Sequence, residues 1–228
     1  MKHSISVVLR GSIVLIFASL ANAGMIYTLN LDGCSGGCGT SPFGQVLLAQ
    51  NGSNDVLVTL TLFNGDEFVK TGAGNALAFN LTGNPAITIS ALTSGFSVGP
   101  ASAHASAFGT FEYTVTCTGC GPGASSPLLG PLSFDVQLAG GGSLSISDFV
   151  GNGGGHFFAA DILGTNGATG NVAADGPGKS SSAPEPSATL LGLTGLAALS
   201  GIRRTLLSLS ERSLRPTEGG IASSPVKF

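Results

Sequence analysis

The sequence predicts an all-β fold, a single antiparallel domain of the β-sandwich or jelly-roll type, with an N-terminal signal peptide before it and a short C-terminal transmembrane helix after it. Three observations predict the domain. Residues 55–63 (DVLVTLTLF) alternate Val56, Val58, Leu60 and Leu62 against Leu57, Thr59, Thr61 and Phe63, a period of two that leaves one face aliphatic. Turn signals recur between runs of this kind: Asn51-Gly52, Asn64-Gly65-Asp66, Gly83-Asn84-Pro85, Gly140-Gly141-Gly142 and the stretch 151–155. Glycine permits positive φ there and asparagine tolerates it. Finally, the stretch between the two ends shows no amphipathic helical period and no clean internal repeat. Short strands at this spacing are the pattern of sandwiches and jelly rolls.

The elements follow from the N-terminus. Residues 1–10 carry Lys2 and Arg10 and no acid, residues 11–20 are apolar, and Ala21-Asn22-Ala23 has the small-x-small form of a cleavage site. This order marks 1–23 as a secretory signal peptide cut before Gly24, in preference to a buried core helix. Strands are predicted at 26–31, 45–49, 55–63, 76–81, 86–92, 108–116, 132–138, 143–149 and 157–163. They lie in one extracellular domain, 24–174, long enough to hold a core. Residues 175–183 (DGPGKSSSA) read as a flexible linker.

The tail has three parts. Pro184-Glu185-Pro186 keeps the backbone extended. Residues 187–202 are uncharged and apolar, and in lipid such a run pairs its own backbone groups as a helix. It is shorter than the about 20 residues of a comfortable span, and Gly192, Gly195 and Gly201 weaken it as a soluble helix. A transient anchor fits better than a permanent one, or than a Gly/Ala-rich helix packed on the domain. Arg203 and Arg204 halt transfer and stay on the cytoplasmic side.

This tail resembles the PEP-CTERM sorting signal, the bacterial C-terminal tripartite signal read by the membrane protease exosortase. The matching residues are Pro184-Glu185-Pro186, the run 188–202, and Arg203-Arg204. The resemblance implies an exosortase-type membrane protease as partner and a tail removed or exchanged during export. It makes the tripeptide the recognition element, with Glu185 its central residue and not a catalytic one. Such signals usually end soon after the basic residues, whereas here 205–228 continue with Arg212, Arg215 and Lys227 and read as a disordered cytoplasmic extension. The stretches 56–81, 131–150 and 156–173 also resemble uncharacterised extracellular domains that commonly carry this tail. That second resemblance covers most of the mature chain and brings no activity with it.

Charge narrows the partners. Between residues 24 and 183 there is no arginine, and Lys70 and Lys179 stand against nine acids: Asp32, Asp55, Asp66, Glu67, Glu112, Asp135, Asp148, Asp161 and Asp175. The formal charge of this part is therefore −7, where the whole chain has −3. An acidic, arginine-free domain repels phosphate backbones, which argues against nucleic acid as a partner. Solubility outside the cell is the simplest use of the acids.

Four cysteines form two close pairs, Cys34-x3-Cys38 and Cys117-x2-Cys120. In an oxidising compartment disulfides are the default, and three connectivities are open. The reading leans to local pairing, Cys34 with Cys38 and Cys117 with Cys120, although cross-pairing would stabilise more. A four-thiolate zinc site is the sharper alternative, and export argues against it. A redox CxxC lacks its βαβ setting, with no helix start to lower a thiolate pKa. For calcium, Asn51, Asn54 and Asp55, and Asn64, Asp66 and Glu67, offer oxygens without an EF-hand or nonapeptide pattern. Turn hydrogen bonds are the preferred reading of these residues.

Catalytic constellations are poor. His104 lies in ASAHASA, His156 follows a glycine run beside Phe157 and Phe158, and no serine sits in GxSxG. A glycosidase needs two carboxylates flanking a sugar, and without tryptophan a stacking cleft is hard to place. Asn51-Gly52-Ser53 and Asn80-Leu81-Thr82 match the N-glycosylation pattern. The expectation is an exported cell-surface or exopolysaccharide-matrix structural protein, not an enzyme, with no cofactor and no metal. Its expected partners are the exosortase-type protease, exopolysaccharide, and the inner membrane before processing; the envelope or extracellular matrix of a bacterium is its destination. The alternatives are a carbohydrate-binding or calcium-assisted adhesion module, and a secreted hydrolase using an unrecognised acid pair.

Overall fold

A computed structural model describes residues 24–71 and 75–178. The strands there are β1 (Gly24–Leu29), β2 (Leu31–Asp32), β3 (Gly44–Asn51), β4 (Asp55–Leu62) and β5 (Glu67–Lys70). Next come β6 (Asn75–Leu81), β7 (Ile87–Ser90), β8 (Phe96–Val98), β9 (Ala103–Ala105), β10 (Gly109–Phe111) and β11 (Tyr113–Cys117). The last are β12 (Gly123–Leu128), β13 (Leu132–Leu138), β14 (Phe149–Val150), β15 (Phe158–Leu163) and β16 (Thr169–Ala174). The fold is all-β, and every strand ladder is antiparallel.

Alternation builds the first sheet, ordered β1-β3-β4-β13-β7. Val46 and Leu48, then Val56, Val58 and Leu60, then Leu132, Phe134 and Val136 are fully buried, while the residues between them are partly exposed. The second sheet runs β12-β5-β15-β6-β11-β8, with β14 joined to β6 and β16 lying between β15 and β2. Leu77, Phe79 and Leu81 of β6 and Phe158, Ala160 and Ile162 of β15 meet the first sheet in one apolar core. Phe79 faces Phe134 across it with ring centroids 6.0 Å apart. Two antiparallel sheets sharing one core in this way are consistent with a β-sandwich.

Strand β6 departs from alternation: all seven of its residues are buried. The cause is a third layer. On the far side of the second sheet, Ala78 of β6, Ala159 of β15 and Ala173 of β16 lie beneath Ala105, Phe108 and Phe111 of the β9–β10 hairpin. Strands covered on both faces read as continuous apolar runs.

Strand β13 coincides with its sequence expectation, and β4 differs from it by one residue. The predicted strand 108–116 is interrupted at Glu112. Its first half leaves the sheet to pair with β9, and its second half, β11, pairs with β6 and β8. The predicted strand 143–149 is instead a 3-10 turn, Ile146–Asp148, followed by β14. Ser145 and Asp148 form a capping box there, in which the Ser145 side chain accepts from the Ser147 amide and the Asp148 carboxylate from the Ser145 amide. Strands β5, β8, β9, β12 and β16 have no counterpart among the predicted strands, and β2 shares only Leu31 with the predicted strand 26–31. The first residues of the predicted linker are tied down, since Pro177 bridges to Tyr27 and the Gly178 amide donates to the Ile26 carbonyl at 2.7 Å.

The predicted signal peptide 1–23, linker residues 179–183, sorting signal 184–204 and extension 205–228 lie outside the described residues. Among the described residues no helix is long and apolar enough to cross a membrane.

Candidate functional site

The hairpin layer leaves a polar cleft of about 550 Å3 at its side. Four parts of the chain wall it. Gly33 and Ser35 come from the loop after β2, Thr71 from the end of β5, His104 and Ser106 from β9 and its turn, and Thr169, Gly170 and Asn171 from β16.

Asp161 anchors one wall. In β15 its neighbours Ala160 and Ile162 belong to the central core, and Ala159 to the layer under the hairpin. Side chains alternate along a strand, so Asp161 shares the outer side with Ala159. It pairs in register with Asn171 of β16. Only 1% of it is exposed. Both carboxylate oxygens are engaged by one residue: Oδ2 accepts from the Thr71 amide at 2.6 Å and Oδ1 from the Thr71 hydroxyl at 2.5 Å. Burial pushes the Asp161 carboxyl up to about 6, against the lowering effect of the two Thr71 hydrogen bonds. Across the cleft floor the Ser106 hydroxyl donates to Asn171 Oδ1 at 3.0 Å. Asn171 is 8% exposed, and its Nδ2 has no hydrogen bond among the described residues.

The cysteines pair locally. Disulfides join Cys34 to Cys38 and Cys117 to Cys120, each with Cα atoms 5.4 Å apart. With each sulfur committed to its near neighbour, the four do not form one zinc centre. No helix begins at either pair among the described residues. The first disulfide lies in the loop whose Gly33 and Ser35 line the cleft. Asp32 Oδ1 accepts from the Cys34 amide and Oδ2 from the Cys38 amide, both at 2.9 Å. Asp32, Cys34 and Cys38 are close enough together to hold a metal ion, yet the sulfurs are bonded to each other and both carboxylate oxygens are taken. Two glycines of the β15–β16 hairpin make room for this loop. A Cβ at Gly170 would lie 3.0 Å from Cys34 Cα and Sγ, and one at Gly164 would collide with the Cys38 carbonyl oxygen. The second disulfide belongs to the central core, with Cys120 Sγ 3.3 Å from the Phe68 carbonyl oxygen.

The calcium candidates are engaged in turns. Asn64 Nδ2 donates to the carbonyls of Thr40 and Pro42, and Asp66 Oδ1 accepts from the Thr165 amide at 3.2 Å. Asp66 is 5% exposed, and burial raises its carboxyl above the usual range. Asp55 pairs with Asn51 across the three-residue turn of the β3–β4 hairpin. Of the two glycosylation sequons, Asn51 is exposed, whereas Asn80 is buried in β6 with its Oδ1 accepting from the Glu112 amide at 2.7 Å.

His104 lies in β9, not in a loop, and is exposed at the cleft rim. Among the described residues it has no hydrogen bond to Ser106 or Asp161, whose partners are Asn171 and Thr71. His156 is elsewhere, edge-on to the Phe108 ring at 5.1 Å. Searches of protein families, curated proteins and solved structures find nothing that matches this chain.

Of the residues singled out from the sequence, the structure brings His104 to the cleft, sets Asp161 behind Thr71 in its wall, and places Cys34 between the lining residues Gly33 and Ser35. Pro184, Glu185, Pro186, Arg203 and Arg204 lie outside the described residues. Thr71, Ser106 and Asn171 carried no sequence signal. Asp161 did, being an acid flanked by Ala160 and Ile162 within an apolar run, and it is no surface charge.

Proposed function

We propose that the chain is an exported structural protein of the bacterial cell surface or exopolysaccharide matrix, a β-sandwich domain delivered by its tail to an exosortase-type membrane protease. The carrying observation is the order of the tail: Pro184-Glu185-Pro186, the apolar run 187–202, then Arg203 and Arg204. Two local disulfides support the route, because such bonds persist in oxidising compartments. A structural role, as against a catalytic one, is supported by the cleft's chemistry, in which the serine is tied to an amide and the buried acid to a threonine. The test is the intact mass of the natural product recovered outside the cell. It should begin at Gly24, end upstream of Arg203, and be lighter by two hydrogens for each of two disulfides. Full-length chain soluble in the cytosol, uncut at both ends and fully reduced, would refute the reading.

A carbohydrate-binding role is the second reading, favoured by the uncharged hydroxyl and amide groups that line the cleft. The calcium-assisted form of that reading draws no support from Asp32 or Asp161, whose carboxylate oxygens are all held by backbone or side-chain donors.

A further inference from the structure

We propose that the cleft beside the β9–β10 hairpin is a binding site for one neutral hexose unit, held by Thr71, Ser106 and Asn171. This goes beyond the export route and stands whether or not the tail is processed.

The class of ligand follows by elimination. Among the described residues no lysine or arginine lines the cleft, and its one basic side chain is the exposed imidazole of His104, so no bidentate or permanently charged partner awaits a phosphate or carboxylate group. No carboxylate is open to a divalent cation, because Asp161 spends both oxygens on Thr71 and Asp32 spends both on the Cys34 and Cys38 amides. A volume of about 550 Å3 lies within the span of small-molecule sites. What remains is a set of hydroxyls, an amide and the His104 imidazole, groups that complement a neutral polyol.

The hydrogen-bond polarity is set in advance. The Thr71 hydroxyl gives its proton to Asp161, so its oxygen is left to accept. The Ser106 hydroxyl gives its proton to Asn171 Oδ1 and is likewise an acceptor. Asn171 Nδ2 remains as a donor. Acceptor, donor and acceptor along one wall match adjacent sugar hydroxyls, each of which both gives and takes a hydrogen bond. Asp161 at 1% and Asn171 at 8% exposure hold these groups in place before a ligand arrives, which lowers the ordering cost of binding. Among the described residues no phenylalanine or tyrosine lines the cleft and its one ring is the exposed imidazole of His104, so affinity should be weak, roughly millimolar.

The test is a titration of the isotopically labelled protein with glucose, galactose and N-acetylglucosamine, followed by amide chemical shifts. Calcium chloride and inorganic phosphate serve as the comparison probes. At least one sugar is expected to move the amides of Thr71, Ser106, Gly170 and Asn171 in a saturable way, and neither comparison probe is. Ser106→Ala should weaken that sugar roughly five- to tenfold by removing one acceptor. Thr71→Ser, which keeps the hydroxyl, should bind as the parent does. The spectra of both variants report directly that each is folded. The proposal is overturned if no sugar moves these amides, if Ser106→Ala leaves the affinity unchanged, or if calcium or phosphate moves the same amides instead.

Discussion

Replacing Asp161 with asparagine is expected to stabilise the protein at neutral pH and to remove a step from its pH dependence. A carboxyl ordinarily near 3.8 is held at about 6 by burial in the folded state. The folded protein therefore keeps this proton more tightly than the unfolded chain does. Below about pH 3 both states are protonated, and the group costs nothing. As pH rises from about 3 to 7 the unfolded chain ionises first, so stability falls, by about 3 kcal/mol in all at 1.36 kcal/mol per unit of pKa difference. Above about pH 7 the loss is complete and the contribution is flat. Asparagine does not titrate and can keep both contacts. Its carbonyl accepts from the Thr71 amide, and its amide donates to the Thr71 hydroxyl oxygen, which changes from donor to acceptor. Urea unfolding of parent and variant at pH 4 and pH 7, disulfides intact, measures the difference. The variant should gain on the parent by about 2 kcal/mol between the two pH values, the rest of the effect lying below pH 4 and above pH 7. Parallel stability curves would show that Asp161 is not desolvated as described, and a variant several kcal/mol weaker at pH 7 would show that the carboxylate is a net stabiliser there.

Other perturbations test the packing. Phe79→Ala empties the point where the Phe134, Phe149 and Phe158 rings converge and should cost about 3–5 kcal/mol in urea unfolding. Gly164→Ala places a methyl group against the Cys38 carbonyl oxygen, and should cost about 1–3 kcal/mol through displacement of the rim loop. Replacing Cys34 and Cys38 together by serine opens a loop of sequence separation 4 and should cost about 2 kcal/mol by chain entropy. Loss of sugar-induced shifts at Ser35 would be the additional sign in that variant. If the protein is glycosylated, peptide mapping should find the sugar on exposed Asn51 and not on Asn80, whose amide is buried against Glu112.

What the sequence revealed was the sheet facing the core. Strands β3, β4 and β13 bury one face and leave the other half-exposed, so their apolar residues alternate and the period of two is plain. The missed strands lack that contrast. Strand β16, TGNVAA, alternates between a core face and the hairpin layer, and alanine serves both. Strand β9 is three residues long, and its only large side chain, His104, faces solvent. Strand β12, GASSPL, is an edge strand whose first four residues are exposed. The local disulfides were the favoured pairing from spacing alone. The cleft was not legible, because it joins residues as far apart as Ser35 and Asn171 through tertiary contacts that no local pattern records.

The cleft depends on the small residues beneath the hairpin. Ala78, Ala159 and Ala173 present only methyl groups on the outer face of the second sheet, so Phe108 and Phe111 reach down between them and the hairpin sits close. That close seat holds Ser106 within hydrogen-bonding distance of Asn171. A leucine or valine at any of the three alanines would have to lift the hairpin by about the size of the added groups, since packed interiors leave few voids. Lifting it separates Ser106 from Asn171 before it disturbs the central core, because the core lies on the other side of the sheet. The same three alanines explain why Asp161 is buried, since the layer that covers them also keeps water from its side of β15. The outer alanines, the buried acid and the polar cleft therefore have one cause, the third layer, and a change that raises the hairpin should lower the Asp161 pKa as it abolishes the site.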